Sequence, residues 1–363
     1  MSGYTIDLLL KKAHELNASD VHLIVGEVPA FRIDGKVIKS KLEPVTEEDM
    51  LKAIDTMAPV SMRDNIFKSY DSDFPYEIEG VSRFRVNLAK SFGYHSMTIR
   101  LVSYEIPTFE QLQLPKAIEK FTSLDNGIVL ITGVAGSGKS TTIASLLNHI
   151  NNTQKKHIIT VEDPIEYVYK SNKSIFTQRQ IGIDTGCFLD GLKFALRQDP
   201  DVILIGEIRD METVASALHA AETGHLVFAT LHTFNAIQTI NRVLSFFPPA
   251  EREAVRHQFA EVFRGSISQK LLPNAKGEGR IPAIELLYST PTIKDFIVKD
   301  ELEEIYKLVK KGSYNDMITF NMCLYELYKK GLITKEVALE HSDSPNELLH
   351  YMRGVYSGSE GGL

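Results

Sequence analysis

The sequence predicts an α/β protein in two domains: a small α+β unit over residues 1–103, a linker at 104–116, and an α/β domain over 117–363 that closes in helices. Three observations carry this. The chain has 363 residues, and single hydrophobic cores stop growing at about 250–300 residues. From Ile128 onward, wholly apolar strand patterns alternate with helical ones, which argues a parallel sheet covered on both faces. Between the first such strand and helix stands Gly133-Val134-Ala135-Gly136-Ser137-Gly138-Lys139-Ser140, matching G-x-x-x-x-G-K-[ST] at every specified position.

Taken in order, Tyr4 to Leu16 has helical periodicity, and Asp34-Gly35 separates two short strand patterns as a hairpin turn does. Thr46 caps a second helix, with Glu47, Glu48 and Asp49 in its first turn, where the helix dipole favours acids. The stretches "YDSDFPYEI", "SRFRVNLAK" and "YHSMTIRLV" alternate as strands, and a mixed sheet is expected. The second domain reads strand Ile128–Thr132, helix Lys139–Asn151, strand Ile158–Glu162, helix Phe188–Arg197, strand Val202–Ile205, helix Met211–Glu222 and strand Leu226–Leu231. Beyond Pro291 it turns helical, and "SGSEGGL" reads as a frayed tail.

Composition excludes several classes. Hydrophobic residues at 43% and charged residues at 24% are ordinary for a globular protein with a sizeable core. No apolar run approaches the roughly 20 residues of a membrane span. The N-terminus lacks a signal-peptide pattern, which predicts a cytoplasmic location. Net charge of −7 gives no global attraction to nucleic acid, and no stable nucleic-acid partner is expected. Cys187 and Cys323 have no metal-binding or redox spacing and read as small apolar fillers.

In the P-loop the glycines let backbone N–H groups turn onto phosphates at the start of a helix, whose dipole adds to the attraction. Lys139 is expected to reach the β- and γ-phosphates of ATP, Ser140 to hold Mg²⁺, and Thr141 to continue the same helical turn. "RQDPDVILIGEIRD" delivers Gly206 and Glu207 to the carboxyl end of a buried strand, beside the phosphate site of an open α/β sheet. There Glu207 either deprotonates a water or pairs with Arg209. "TVEDPIEY" ends a strand in Glu162, Asp163 and Glu166, with Pro164 turning the chain so that the acids project from a loop. They are either an ordinary acidic turn or acids whose charge Mg²⁺ offsets. "GHLVFATLHT" brackets a strand with His225 and His232, too widely spaced for zinc alone. These histidines are either structural or sense the γ-phosphate by hydrogen bonding. Arg83, Arg85 and Arg100 cluster on adjacent strands as solvated arginines or as arginine fingers for a neighbouring subunit.

These motifs, in this order, resemble the secretion ATPase superfamily of type II secretion and type IV pili. "LRQDPDVILIGEIRD" looks like its signature, while "TVEDPIEY" and "GHLVFATLHT" look like its Asp and His boxes. The resemblance covers nearly the whole chain. "SDVHL", "FRIDG", "SRFRVN" and "GLITKEVAL" are similar to the pilus-retraction branch. It implies a PAS-like N-terminal domain, a RecA-like ATPase domain and a homohexamer with ATP bound between domains and subunits. By that analogy Glu207 is the catalytic base, Glu162 its partner, and the Arg83–Arg100 region a source of arginines acting in trans. The implied function is retraction of a type IV pilus through an inner-membrane platform protein, with peripheral contact at the inner face of the cytoplasmic membrane. The chain lacks the further N-terminal domain and four-cysteine zinc motif usual in assembly and secretion motors, which favours retraction. It departs from the pattern at Val134-Ala135, where Pro-Thr is usual, and at "TIKDFIVK", which replaces A-I-R-x-x-I-R-E. Rival readings are an assembly or secretion motor and a low-turnover, nucleotide-gated ring component.

Overall fold

The computed structural model describes residues 5–33, 35–60, 62–67, 69–102, 105–277, 279–310 and 316–354. The chain divides into two compact units, one through Glu105 and one from Ile106 onward, with Glu166–Val168 grouped with the first. The expected tail, 357–363, lies outside the described residues.

The first unit opens with α1 (Ile6–Glu15), capped by Thr5, whose hydroxyl oxygen accepts from Leu8 N–H. Tyr4, the expected start, lies outside the described residues. Then come β1 (Asp20–Ile24), β2 (Ala30–Ile33), β3 (Lys36–Lys39), α2 (Glu47–Met57), α3 (Arg63–Ile66), β4 (Ser72–Ile78), β5 (Ser82–Ser91) and β6 (Tyr94–Val102). The β2–β3 hairpin forms as expected, with Gly35 at φ 77° in its turn, while Asp34 lies outside the described residues. α2 has the reciprocal capping box, Thr46 with Asp49. The sheet runs β3-β2-β1-β6-β5-β4. Its ladders are all antiparallel, which corrects the expected mixed sheet. The connections between β2 and β3, β4 and β5, and β5 and β6 are hairpin turns, and a parallel pair needs a crossover of a dozen residues or so. One face sends Phe74, Phe84, Val86 and Ile99 into a core with Leu10 and Ile54. Of the two edges, β3 is exposed at every residue, and β4 carries Pro75.

The second unit begins with a 3₁₀ helix (Lys116–Ser123), then β7 (Gly127–Thr132), α4 (Lys139–Thr153), β8 (His157–Glu162), β9 (Ile175–Gln180), α5 (Phe188–Ala195), β10 (Val202–Ile205) and α6 (Met211–Glu222). It continues through β11 (Leu226–Leu231), α7 (Ala236–Ser245), α8 (Arg252–Val262), β12 (Phe263–Pro273) and β13 (Arg280–Tyr288). The C-terminal helices are α9 (Pro291–Val298), α10 (Leu302–Lys310), α11 (Phe320–Lys329), α12 (Lys335–Glu340) and α13 (Pro345–Met352). The sheet order is β13-β12-β7-β11-β10-β8-β9, parallel except for the antiparallel β12–β13 pair. The strand of the P-loop and the strand of Glu207 are therefore separated by β11. Among the described residues no helix is long and apolar enough to cross a membrane.

One detail differs from expectation. Cys187 is exposed and fills no core, because it stands at the N-cap position just outside α5, where its side chain makes no capping bond. Cys323 is half-buried; Ile284 N–H donates to its Sγ at 3.3 Å, and burial pushes its thiol up to about 11. In α9, Ile293 and Ile297 are fully buried and Phe296 packs beside them, as an i, i+3, i+4 stripe should. Lys299 faces solvent, but Lys294 bends back to donate to Glu261 O at 3.2 Å, closing the last turn of α8.

Candidate active site

A parallel sheet delivers the carboxyl ends of its strands to one edge. Thr132 stands opposite Leu231, and Ile205 opposite both Ala229 and Val161. Gly133, His232, Gly206 and Glu162 therefore leave the sheet at nearly the same level.

At that edge the P-loop turns tightly. A Cβ on Gly133 would lie 2.4 Å from Gln269 O and 2.5 Å from Ser137 Oγ, so only glycine fits. Gly136 (φ 75°) and Gly138 (φ 90°) take left-handed conformations that L side chains rarely adopt. Val134, Ala135 and Gly136 are exposed, while Ser140 and Thr141 are half-buried in the first turn of α4. That turn has Gly138 as its N-cap and receives no side-chain cap, leaving its first N–H groups to an external acceptor. Lys139 is buried and donates from Nζ to Gly133 O at 2.7 Å and Val134 O at 3.0 Å. Ser137 Oγ is buried with no hydrogen-bond partner. An orphaned hydroxyl and an uncapped helix start suit a polyphosphate.

Glu207 leaves β10 with both oxygens engaged on different sides. Arg209 donates to Oε2 from Nε at 2.8 Å and Nη2 at 2.6 Å, and the bond to Glu207 holds Arg209 above its ordinary pKa. Oε1 faces His232 Nε2 at 3.1 Å. Arg209 also reaches Asp163 at 3.5 Å. Of the two sequence readings of Glu207, the pairing with Arg209 is present on one oxygen, and the other oxygen faces His232.

Glu162 ends β8 within the strand, correcting the expectation that it projects from a loop. It is 8% exposed, and its Oε1 accepts from Thr160 Oγ1 at 2.6 Å. His225 stands at the amino end of β11, opposite to His232, where its Nδ1 lies 2.9 Å from Ala220 O. The two histidines are not brought together. In the first unit Arg85 and Arg100 stand directly opposite, with Arg83 two residues along on the same face. Asp20, only 4% exposed, accepts from Arg100 Nε at 2.9 Å, and Asp73 lies 3.4 Å from Arg85, so carboxylates offset these like charges.

A family model, type II/IV secretion system protein, matches residues 4–320. The chain belongs to that family. It is 40% identical over 337 residues to the type IV pilus retraction ATPase PilT of Pseudomonas aeruginosa, covering 93% of this chain and 98% of that protein. It is 37% identical over 340 residues to the type IV pilus ATPase PilU of the same organism, covering 94% and 89%. A crystal structure of the pilus retraction motor PilT with bound ADP superposes with a TM-score of 0.89 at 45% identity, covering 96% of this chain and 99% of that one. The α/β fold class with a RecA-like second domain is thereby borne out.

Sequence reasoning passed over two supports of this secretion-family site. Gln269, 3% exposed on β12, accepts from Thr142 Oγ1 at 2.7 Å and braces α4 from beneath the P-loop. Glu285, 3% exposed on β13, accepts from Ala236 N–H at 2.7 Å and Tyr306 OH at 3.0 Å. Neither sits in a motif, and a lone Gln or Glu in an apolar strand was the available signal.

Burial pushes the Glu285 carboxyl up from 4.5 to about 7; the Ala236 and Tyr306 bonds oppose this, Asp343 adds to it and Lys270 opposes it. The folded state therefore holds the proton more tightly than the unfolded state. Between the two values the folded chain carries more protons, so this contribution to stability is lost as pH rises through about 7. Thermal unfolding at several pH values should find wild type losing stability relative to Glu285→Gln across that window. A pH-independent difference would contradict the assignment.

Proposed function

We propose that the chain is a homohexameric motor that hydrolyses Mg-ATP to retract a type IV pilus through an inner-membrane platform protein. The observation that carries the hydrolytic part is Glu207, held by Arg209 on one oxygen and facing His232 with the other, on the sheet edge that bears the P-loop. The first turn of α4 and Lys139 bind the phosphates. Glu207 accepts the proton of the attacking water, and His232 follows the γ-phosphate through the oxygen it shares with Glu207. Mg²⁺, when bound, neutralises phosphate charge. Ser140, in the first turn of α4 next to Lys139, is the residue that would hold it, alongside the phosphate and water ligands that Mg²⁺ usually keeps. Glu162 supports the same edge through Thr160. Arg83, Arg85 and Arg100 act in trans, completing a neighbouring subunit's site.

Likeness to PilT along nearly the full length supports retraction over assembly. The motor works in the cytoplasm, at the inner face of the membrane. Deleting its gene should leave cells with excess surface pili that no longer retract, counted by electron microscopy. Loss of pili would instead assign the chain to assembly.

A further inference from the structure

A buried polar seam crosses the second sheet beneath α7. Thr132, Ser268 and Glu285 stand directly across from one another on β7, β12 and β13, so their side chains leave the same face. Thr132 and Ser268 are fully buried, and Thr132 Oγ1 donates to Ser268 Oγ at 3.0 Å. Glu285 completes the row with a carboxylate. Such a group is costly to bury unless donors answer it. The two that do come from different parts of the chain: Ala236 N–H on Oε1 and Tyr306 OH on Oε2.

Ala236 is the first residue of α7, and the turn before it begins at His232. That turn is pinned at both ends, by His232 Nε2 to Glu207 Oε1 at 3.1 Å and by Ala236 N–H to Glu285 Oε1 at 2.7 Å. Between the pins, Thr233 Oγ1 bonds Thr239 Oγ1 at 2.7 Å, and Asn235 Oδ1 accepts from Gln238 N–H at 2.9 Å. The turn is therefore tied to the first turn of α7. Asn235 caps α7 at the Gln238 N–H, and the carboxylate answers a different donor of the same helix start, the buried N–H of Ala236. What it adds is a fixed link from this turn to Tyr306 on α10.

We propose that Glu285 is a positioning residue for hydrolysis: it holds the 232–235 turn so that His232 meets Glu207, and through Tyr306 it makes that placement depend on α10. The C-terminal helices thereby reach the hydrolytic base through the Tyr306 and Ala236 hydrogen bonds to Glu285, one short turn and the His232–Glu207 contact. This rests on Glu207 and His232 forming the hydrolytic pair proposed above.

The test is a double-mutant cycle on the full chain, reading steady-state ATP turnover, KM, ADP affinity and thermal unfolding. Glu285→Gln keeps the shape but presents an NH₂ group to one of two donors. It is expected to lower kcat roughly ten- to hundredfold, the scale of a displacement near 1 Å at a reacting centre, with KM and ADP affinity nearly unchanged. Tyr306→Phe should lower kcat in the same direction by less. In a His232→Ala background, Glu285→Gln should cost almost nothing further, because residues acting through one another are non-additive. An equal loss with and without His232, or an unchanged kcat in the folded variant, overturns the proposal. If Glu285→Gln unfolds at assay temperature, Tyr306→Phe carries the same cycle with the loss of one hydroxyl. Wild-type turnover and its dependence on Glu207 are read first. Absent turnover, or indifference to Glu207→Gln, overturns the underlying site reading and this proposal together, whereas additivity overturns only the latter.

Discussion

Replacing Glu207 with glutamine is expected to slow ATP turnover roughly 10²- to 10⁴-fold, the usual worth of a positioned general base, while leaving ATP binding intact. Glutamine has the same size, and its oxygen can still accept from Arg209, whose Nε and Nη2 lie 2.8 and 2.6 Å from Oε2. Its amide can still face His232. The substitution removes the negative charge and, with it, the capacity to take up a proton. The P-loop and Lys139 lie on other elements and keep their geometry, so a fluorescent ATP analogue should bind the variant as it binds wild type. Lys139→Ala differs in kind, weakening the binding itself. Near-normal turnover with intact binding in Glu207→Gln would make the base assignment wrong, and the buried carboxylate of Glu162 would be the next candidate.

Gly133→Ala is expected to abolish nucleotide binding. Its Cβ would sit 2.4 Å from a backbone carbonyl, Gln269 O, and 2.5 Å from Ser137 Oγ. Neither can yield without shifting β12 or the loop, and both frame the cradle that receives phosphate. Gly136→Ala makes the control. Nothing lies within 4 Å of its added Cβ, so it meets only the left-handed backbone penalty of roughly 1–2 kcal/mol. Isothermal titration with ADP should therefore find no binding in the first variant and weakened binding in the second. Equal affinities in the two would mean that the loop's crowding at Gly133 is irrelevant to the phosphate site.

How far the sequence could be read depended on whether a feature was local. β10, α6 and β11 fall at the expected residues because apolar runs, the Asp210 cap and the flanking glycines are all within a few positions. The P-loop was legible for the same reason. β9 was not anticipated: "IFTQRQ" alternates weakly and becomes a strand by pairing with β8 at the sheet edge. The β12–β13 hairpin was missed too, although its strands are consecutive and its ladder begins at Pro273 and Arg280. In the site, the motif residues Glu207 and His232 were named in advance, but their shared oxygen was not, because strand order decides which motifs meet. His225 illustrates the limit: one motif contains both histidines, yet a six-residue strand carries them to opposite ends. Gln269 and Glu285 depend on register across the sheet, which no local pattern encodes.

The two edges of the first unit's sheet have a consequence for how copies of the chain coexist. An unpaired strand edge is a template for adding another strand, and crowding of identical chains makes such addition dangerous. On β3, exposed Val37 and Ile38 would invite it, but Lys36 and Lys39 flank them and repel a second copy in register. On β4, Pro75 has no N–H to offer and interrupts any continuing ladder. Both borders are closed by different means, one by charge and one by a missing donor. The unit can be concentrated beside its own copies without polymerising through its backbone, leaving side chains to govern which surfaces associate.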